Sequence, residues 1–108
     1  MDEQQFKFEA DRALTSLTNK LVAPGGEFGF DADLNDGALQ IEFDDPPARF
    51  VVSPNSPVRQ IWVSALTKSF KLDWDHGRAA FVLASTNQSL DELIAFAITQ
   101  HLGEAVSI

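Results

Sequence analysis

Phe28–Asp44, FGFDADLNDGALQIEFD, alternates apolar and polar residues on both sides of a central Asp36-Gly37. Asp-Gly between two alternating runs marks a two-residue hairpin, because a type I′ turn needs positive φ at both central positions. Taking Asp36-Gly37 as that turn sets the pairing. Asn35 faces Ala38, Leu34 faces Leu39, Asp33 faces Gln40, Ala32 faces Ile41, Asp31 faces Glu42 and Phe30 faces Phe43. The apolar residues from Phe30 to Leu34 each meet an apolar one, as a sheet with one buried face requires.

Outward from the hairpin the period changes. Upstream, Phe6, Ala10, Ala13, Leu14, Leu17 and Leu21 recur at spacings of three and four, predicting an amphipathic helix over residues 3–22 that Pro24-Gly25-Gly26 would stop. The two-residue period would then begin at Glu27. Downstream, turn residues separate short runs: Ala48 to Ser53, Val58 to Ala65, Ser69 to Trp74 and Ala79 to Ala84 read as four further strands of an antiparallel meander. Ser89-Leu90-Asp91-Glu92 is a capping box that opens a second helix, with Leu90, Leu93, Ile94, Ala97, Ile98 and His101 or Leu102 on its apolar stripe and Gly103 at its end.

The order is helix, about six strands, helix. Terminal helices and a sheet that each have one apolar face bury those faces by packing together. The expected fold class is therefore α+β: a two-layer α/β sandwich with both terminal helices on one face of a roughly six-stranded antiparallel sheet, forming a single domain over residues 1–108.

Composition narrows the chemistry. With no cysteine, thiol catalysis, disulfides and cysteine-ligated metals are excluded within the chain. The acidic start MDEQQ is unlike a secretory signal, and no apolar run approaches the roughly 20 residues of a membrane span, so a soluble cytoplasmic protein is expected. The net charge of −8 resides in residues 1–45, which carry eleven acids against three bases, while the remainder balances. Such a field repels nucleic acid and anionic membranes and draws in cations or a basic protein surface. His76 and His101 stand apart from any serine constellation, and no phosphate-binding loop is present.

The hairpin register gives the acids a location. Asp31 lies opposite Glu42, with Asp33 and Asp44 on the same polar face; like charges directly opposed are destabilising. Two readings remain at this point: an array of carboxylates for a hard, oxygen-preferring cation, or a hydrated acidic face without a ligand. In RQIWVSA, Arg59–Ala65, Ile61, Val63 and Ala65 share one side and Gln60, Trp62 and Ser64 the other. This parity turns Trp62 outward as an interface residue. The alternative is a bulge that returns the indole to the core.

These residues together resemble the frataxin family, in its bacterial CyaY type. Asn55–Ser64 is similar to that family's Pro-x-x-Gln-[Ile/Val]-Trp-[Leu/Val] strand; Asp73-Trp74, Ser89–Leu93 and Gly103–Ser107 resemble its following elements in order. The resemblance implies a helix–sheet–helix fold and an accessory, non-enzymatic role in iron–sulfur cluster assembly. It further implies weak iron binding through surface carboxylates and docking on a cysteine desulfurase and scaffold protein. Asp11, Glu27, Asp31, Asp33, Glu42 and Asp44 are then the candidate iron ligands, and Gln60, Trp62 and Ser64 the candidate partner surface. A monomer is expected, with metal-dependent oligomers. One departure stands out: the last turns of the first helix, which are acidic in the family, read Thr18, Asn19, Lys20, Val22 and Ala23. Fewer and weaker cation sites, concentrated on the hairpin, are expected. A metal-independent acidic binding module is the alternative, and a ferroxidase a weaker third.

Overall fold

A computed structural model describes residues 1–108. Helix α1 spans Glu3–Phe28, opened by Asp2, whose Oδ1 accepts the Gln5 N–H at 2.7 Å. Its buried residues are Phe6, Ala10, Leu14, Leu17, Leu21 and Gly25, the predicted stripe continued by one more turn.

Pro24-Gly25-Gly26 therefore does not stop the helix, and Glu27 and Phe28 are helical rather than part of a strand. Pro24 removes one hydrogen bond to the carbonyl four residues back, that of the exposed Lys20. The stop is Gly29, left-handed at φ +81°, whose N–H bonds to the Gly25 carbonyl at 3.0 Å. Gly25 is buried for a separate reason. A Cβ there would lie 2.6 Å from the Phe30 carbonyl oxygen, so the helix end and the first strand touch backbone to backbone.

The sheet has seven antiparallel strands in sequential order: β1 Phe30–Asn35, β2 Ala38–Asp44, β3 Pro47–Asn55, β4 Gln60–Ala65, β5 Lys68–Asp75, β6 Ala80–Leu83 and β7 Gln88–Ser89. The β1–β2 pairing is the one expected, pair for pair, with Asp36 and Gly37 at φ 53° and 79°. Val58 is not in β4. Pro57 nucleates a 3₁₀ turn over Ser56–Val58, and Arg59 at φ 55° closes it before the strand begins. The two-residue β7, too short to show a period, is the strand beyond the predicted six.

Alternation sends Phe30, Leu39, Ile41, Phe43, Phe50, Val52, Ile61, Val63, Ala65 and Leu72 against the helices. Helix α2, Leu90–Leu102, adds Leu90, Leu93, Ile94, Ala97 and Ile98. Each large side chain removed from water contributes about 1.5–3 kcal/mol. Phe43 lies within 5.3 Å of Phe30 and 4.8 Å of Phe50, centroid to centroid, and the His101 ring packs against it, tilted by 56°, at 4.6 Å. His101 Nε2 bonds the Pro46 carbonyl at 2.7 Å, joining the end of α2 to the β2–β3 turn. No polar or charged residue is buried.

The capping box is complete: Ser89 N–H donates to Glu92 Oε1 at 2.9 Å and Ser89 Oγ accepts from the Glu92 N–H at 3.3 Å. That Ser89 amide, then Arg78 at 3.0 Å and the Ser89 hydroxyl, hold the Glu92 carboxyl below the usual glutamate range.

The two glycines of α1 should respond oppositely to alanine. Gly26 has open space around it, so Gly26→Ala should raise the unfolding free energy by about 1 kcal/mol in urea denaturation. Gly25→Ala should lower it by about 1–2 kcal/mol, because the contact with Phe30 outweighs the same helix gain. A carboxyl with a depressed folded pKa stabilises above its unfolded pKa, and the contribution fades as pH falls toward the folded value. The advantage of the native protein over Glu92→Gln should accordingly be present at neutral pH and vanish on acidification, measured as Tm against pH.

Candidate functional site

The face of the sheet turned away from both helices is a set of cross-strand rows, and the register decides which side chains become neighbours. The first row is Asp31–Glu42–Arg49, running from β1 to β3. A second row, Asp33–Gln40–Val51–Ser64–Ser69, crosses five strands. Beyond it lies Ser53–Trp62–Lys71, and then Asn55–Gln60–Asp73. The face is acidic along β1–β2 and mixed, with one indole, over β3–β5.

Asp31 and Glu42 are opposed as expected, and all four hairpin acids are exposed. Glu42 is not free, however: Arg49, its partner on the other flank, lies 3.3 Å from Glu42 Oε1. The like-charge contact is thus relieved from the β3 side, which leaves Asp31 as the carboxylate without a cation across from it. Asp33 faces Gln40 and Asp44 faces Pro47.

The remaining two candidate ligands do not join this group as a cluster. Asp11 and Glu27 are both on α1, separated by roughly 24 Å along the helix axis at 1.5 Å per residue. Glu27, expected on a strand, lies in the last turn of α1. Across the whole chain no three His, Asp or Glu side chains converge in a metal-ligating group. The arrangement can hold a hydrated hard cation by charge, with one or two carboxylates, but offers no cage of six or more oxygens.

Trp62 is exposed, at 38%, on the outer face, so β4 carries no bulge and the outward parity is the observed one. Three neighbours fix its orientation. The indole N–H donates to Gln60 Oε1 at 2.9 Å; Gln60 Nε2 in turn donates to Asp73 Oδ1 at 3.1 Å; and the Lys71 ammonium sits 5.0 Å from the ring centroid. Gln60 therefore serves as a bracket between the indole and Asp73. Beside the ring a shallow cavity of about 220 Å³ is bounded by Val51, Trp62, Ser64, Ser69, Phe70 and Lys71. Ser64, a candidate partner residue, is exposed on its rim.

Sequence reasoning did not find Arg49, Lys71 or Asp73 for this face. All three follow from registers made by the Asp45-Pro46 and Leu66-Thr67 turns, and the second of these has no glycine or asparagine to announce it although both residues take positive φ. Strict alternation in Ser69–Trp74 was the available signal for Lys71 and Asp73.

Substituting the unpaired carboxylate tests this charge map. Asp31→Asn should raise stability by about 0.5 kcal/mol at low salt, with the gain shrinking as salt screens the pair. In an Arg49→Gln background the same substitution should gain more, because Glu42 has then lost its cation. Urea unfolding of the four proteins at low and high salt reads both effects.

Residues 1–104 match the family described as the frataxin-like domain. The chain is 24% identical to the iron–sulfur cluster assembly protein CyaY of Thioalkalivibrio sulfidiphilus over the full length of both proteins. It is 30% identical to the protein of that name in Stutzerimonas stutzeri over 70% of each chain. Among solved structures, the frataxin from Psychromonas ingrahamii superposes with a TM-score of 0.80 at 20% identity, covering 99% of this chain and 97% of that one, a likeness of fold.

Proposed function

The chain belongs to the frataxin-like family, and from that premise we propose that it is an accessory protein of iron–sulfur cluster assembly that docks on a cysteine desulfurase and its scaffold in the cytoplasm. The relatives named for cluster assembly support the role. The single observation that carries the docking reading is the state of Trp62: a large aromatic held outward in one orientation by Gln60, Asp73 and Lys71. A side chain already ordered before contact loses little rotamer freedom on binding, which is how an interface anchor gains affinity. Its role is to bind and orient rather than to react. No helix is long and apolar enough to cross a membrane.

Iron, ferrous or ferric, is the proposed cargo, held weakly. Asp31, Asp33, Glu42 and Asp44 supply the carboxylates on the hairpin, with Asp11 and Glu27 as outlying sites on α1. Exposed oxygen donors without convergence suit a hydrated ion that arrives and leaves readily. The acid-free stretch Thr18–Ala23 of α1, which carries Lys20, reduces the attraction for both iron and a basic partner.

A second reading has its own observation. The Glu42–Arg49 ion pair commits one of the two opposed carboxylates, and this favours an acidic docking face that works without metal. A diamagnetic divalent ion titrated against the labelled protein separates the two. Chemical-shift changes confined to the hairpin amides, lost in Asp31→Asn with Asp33→Asn, are expected for iron carriage; unresponsive hairpin amides would leave only the metal-independent module.

For docking, Trp62→Ala should keep the native circular dichroism spectrum and weaken binding to the desulfurase–scaffold complex by about thirtyfold, the effect of removing an interface anchor worth about 2 kcal/mol. Equal affinity of the two proteins in a calorimetric titration would remove Trp62 from the interface.

A further inference from the structure

The geometry points to the free edge of β1 as a docking edge for an extended segment of another protein in which basic and β-branched apolar residues alternate. β1 pairs only with β2, so its far side is open, and it is the longer of the two sheet edges, with six residues against two in β7. The two-residue turn decides which groups face outward. Asn35 and Ala38 close it as a hydrogen-bonded pair, so Asp33 and Asp31 bond to Gln40 and Glu42 in the same way. The N–H and C=O groups of Ala32 and Leu34 therefore point away from the sheet. None of the backbone hydrogen bonds outside the helices and the sheet involves either residue. The Phe30 carbonyl, of the same parity, is covered by Gly25 of α1, so the open stretch begins beyond it.

Both faces of this edge are unfinished. On the helix side Leu39 and Ile41 are fully buried, whereas Leu34 and Ala32 opposite them are only half-buried, since no strand flanks them on the other side. On the outer face Asp31 and Asp33 are exposed and neither belongs to an ion pair. The only cation in either of their cross-strand rows, Arg49, is committed to Glu42.

These two faces select the occupant. A strand that pairs through Ala32 and Leu34 sets alternate residues against Asp31 and Asp33, at the non-hydrogen-bonded positions where opposed Cα atoms come within about 4.5 Å. A lysine or arginine there meets an uncompensated carboxylate, and opposite charges across a strand pair stabilise it. The residues between turn to the helix side and extend the apolar surface of Ala32 and Leu34. Backbone pairing supplies affinity and the alternate side chains supply the choice of partner. A second copy of this chain is the wrong occupant. Every antiparallel register of β1 with itself that pairs both Ala32 and Leu34 opposes an aspartate to an aspartate. The acids thus guard the edge against self-association and leave it open to a basic strand. This edge lies three strands from β4, so it is separate from docking through Trp62.

A capped hexapeptide of alternating lysine and valine is the probe, titrated into isotope-labelled protein in buffer containing a metal chelator. It should bind saturably and slow solvent exchange of the Ala32 and Leu34 amides about tenfold. A peptide N-methylated at its valines, whose N–H groups meet the Ala32 and Leu34 carbonyls, should bind about tenfold more weakly. One N-methylated at its lysines, whose N–H groups face away, should bind as the parent does. Ala32→Pro removes an outward donor without breaking a β1–β2 bond and should weaken the parent peptide about tenfold with the circular dichroism spectrum unchanged. Asp31→Asn with Asp33→Asn should weaken it about fivefold. Equal affinity of the two N-methylated peptides, or binding that leaves the Ala32 and Leu34 amides unprotected, overturns strand addition whatever Ala32→Pro does to the fold. Equal affinity for a peptide of alternating glutamate and valine overturns the choice of a basic partner.

Discussion

The pairing of β1 with β2 through the Asp36-Gly37 turn is the constraint from which the remaining geometry follows. A strand has a side-chain period of two, so a slip of one residue in this hairpin would carry Phe30, Ala32 and Leu34 to the solvent side and Asp31 and Asp33 into the core. The type I′ turn forbids that slip because Gly37 alone among its neighbours accepts φ 79° without strain. Each later strand inherits the phase. Phe43 meets Ala48, Val52 meets Val63, and Ile61 meets Leu72, so the indole of Trp62 faces outward as a consequence of a turn at the far edge of the sheet.

That dependence explains why so much of the fold could be read from residue order. Period two and period 3.6 are local, and the hairpin register, the capping box at Ser89 and the Gly103 cap are all local devices that the structure contains as expected. What was not legible depended on contacts distant in space or on short elements. Pro24-Gly25-Gly26 has the composition of a helix stop, yet Gly25 is present because the Phe30 carbonyl approaches it and not to end the helix. The true stop, Gly29, was read as one polar position of a strand. β7 has two residues and no period to detect.

The site divides in the same way. Asp31 opposite Glu42 and the outward Trp62 came directly from alternation. Arg49 beside Glu42 and Lys71 over the indole required the registers of β2–β3 and β4–β5, whose turns are Asp45-Pro46 and Leu66-Thr67. The latter places a leucine and a β-branched threonine at φ 55° and 59°, conformations that residue preference argues against.

One feature of the outer face bears on the timing of association. Glu42 and Trp62 are two strands apart and displaced by the stretch from Arg49 to Ser53, a separation of roughly 15 Å at ordinary strand spacings. That exceeds the Debye length of about 8 Å at physiological salt. In the proposed docking the acidic edge and the indole would therefore act on an approaching protein almost independently. The first would set how often an encounter is correctly oriented, the second how long the complex persists. On that reading the two rates reside on different strands, and a change in either strand's residues would retune one without disturbing the other.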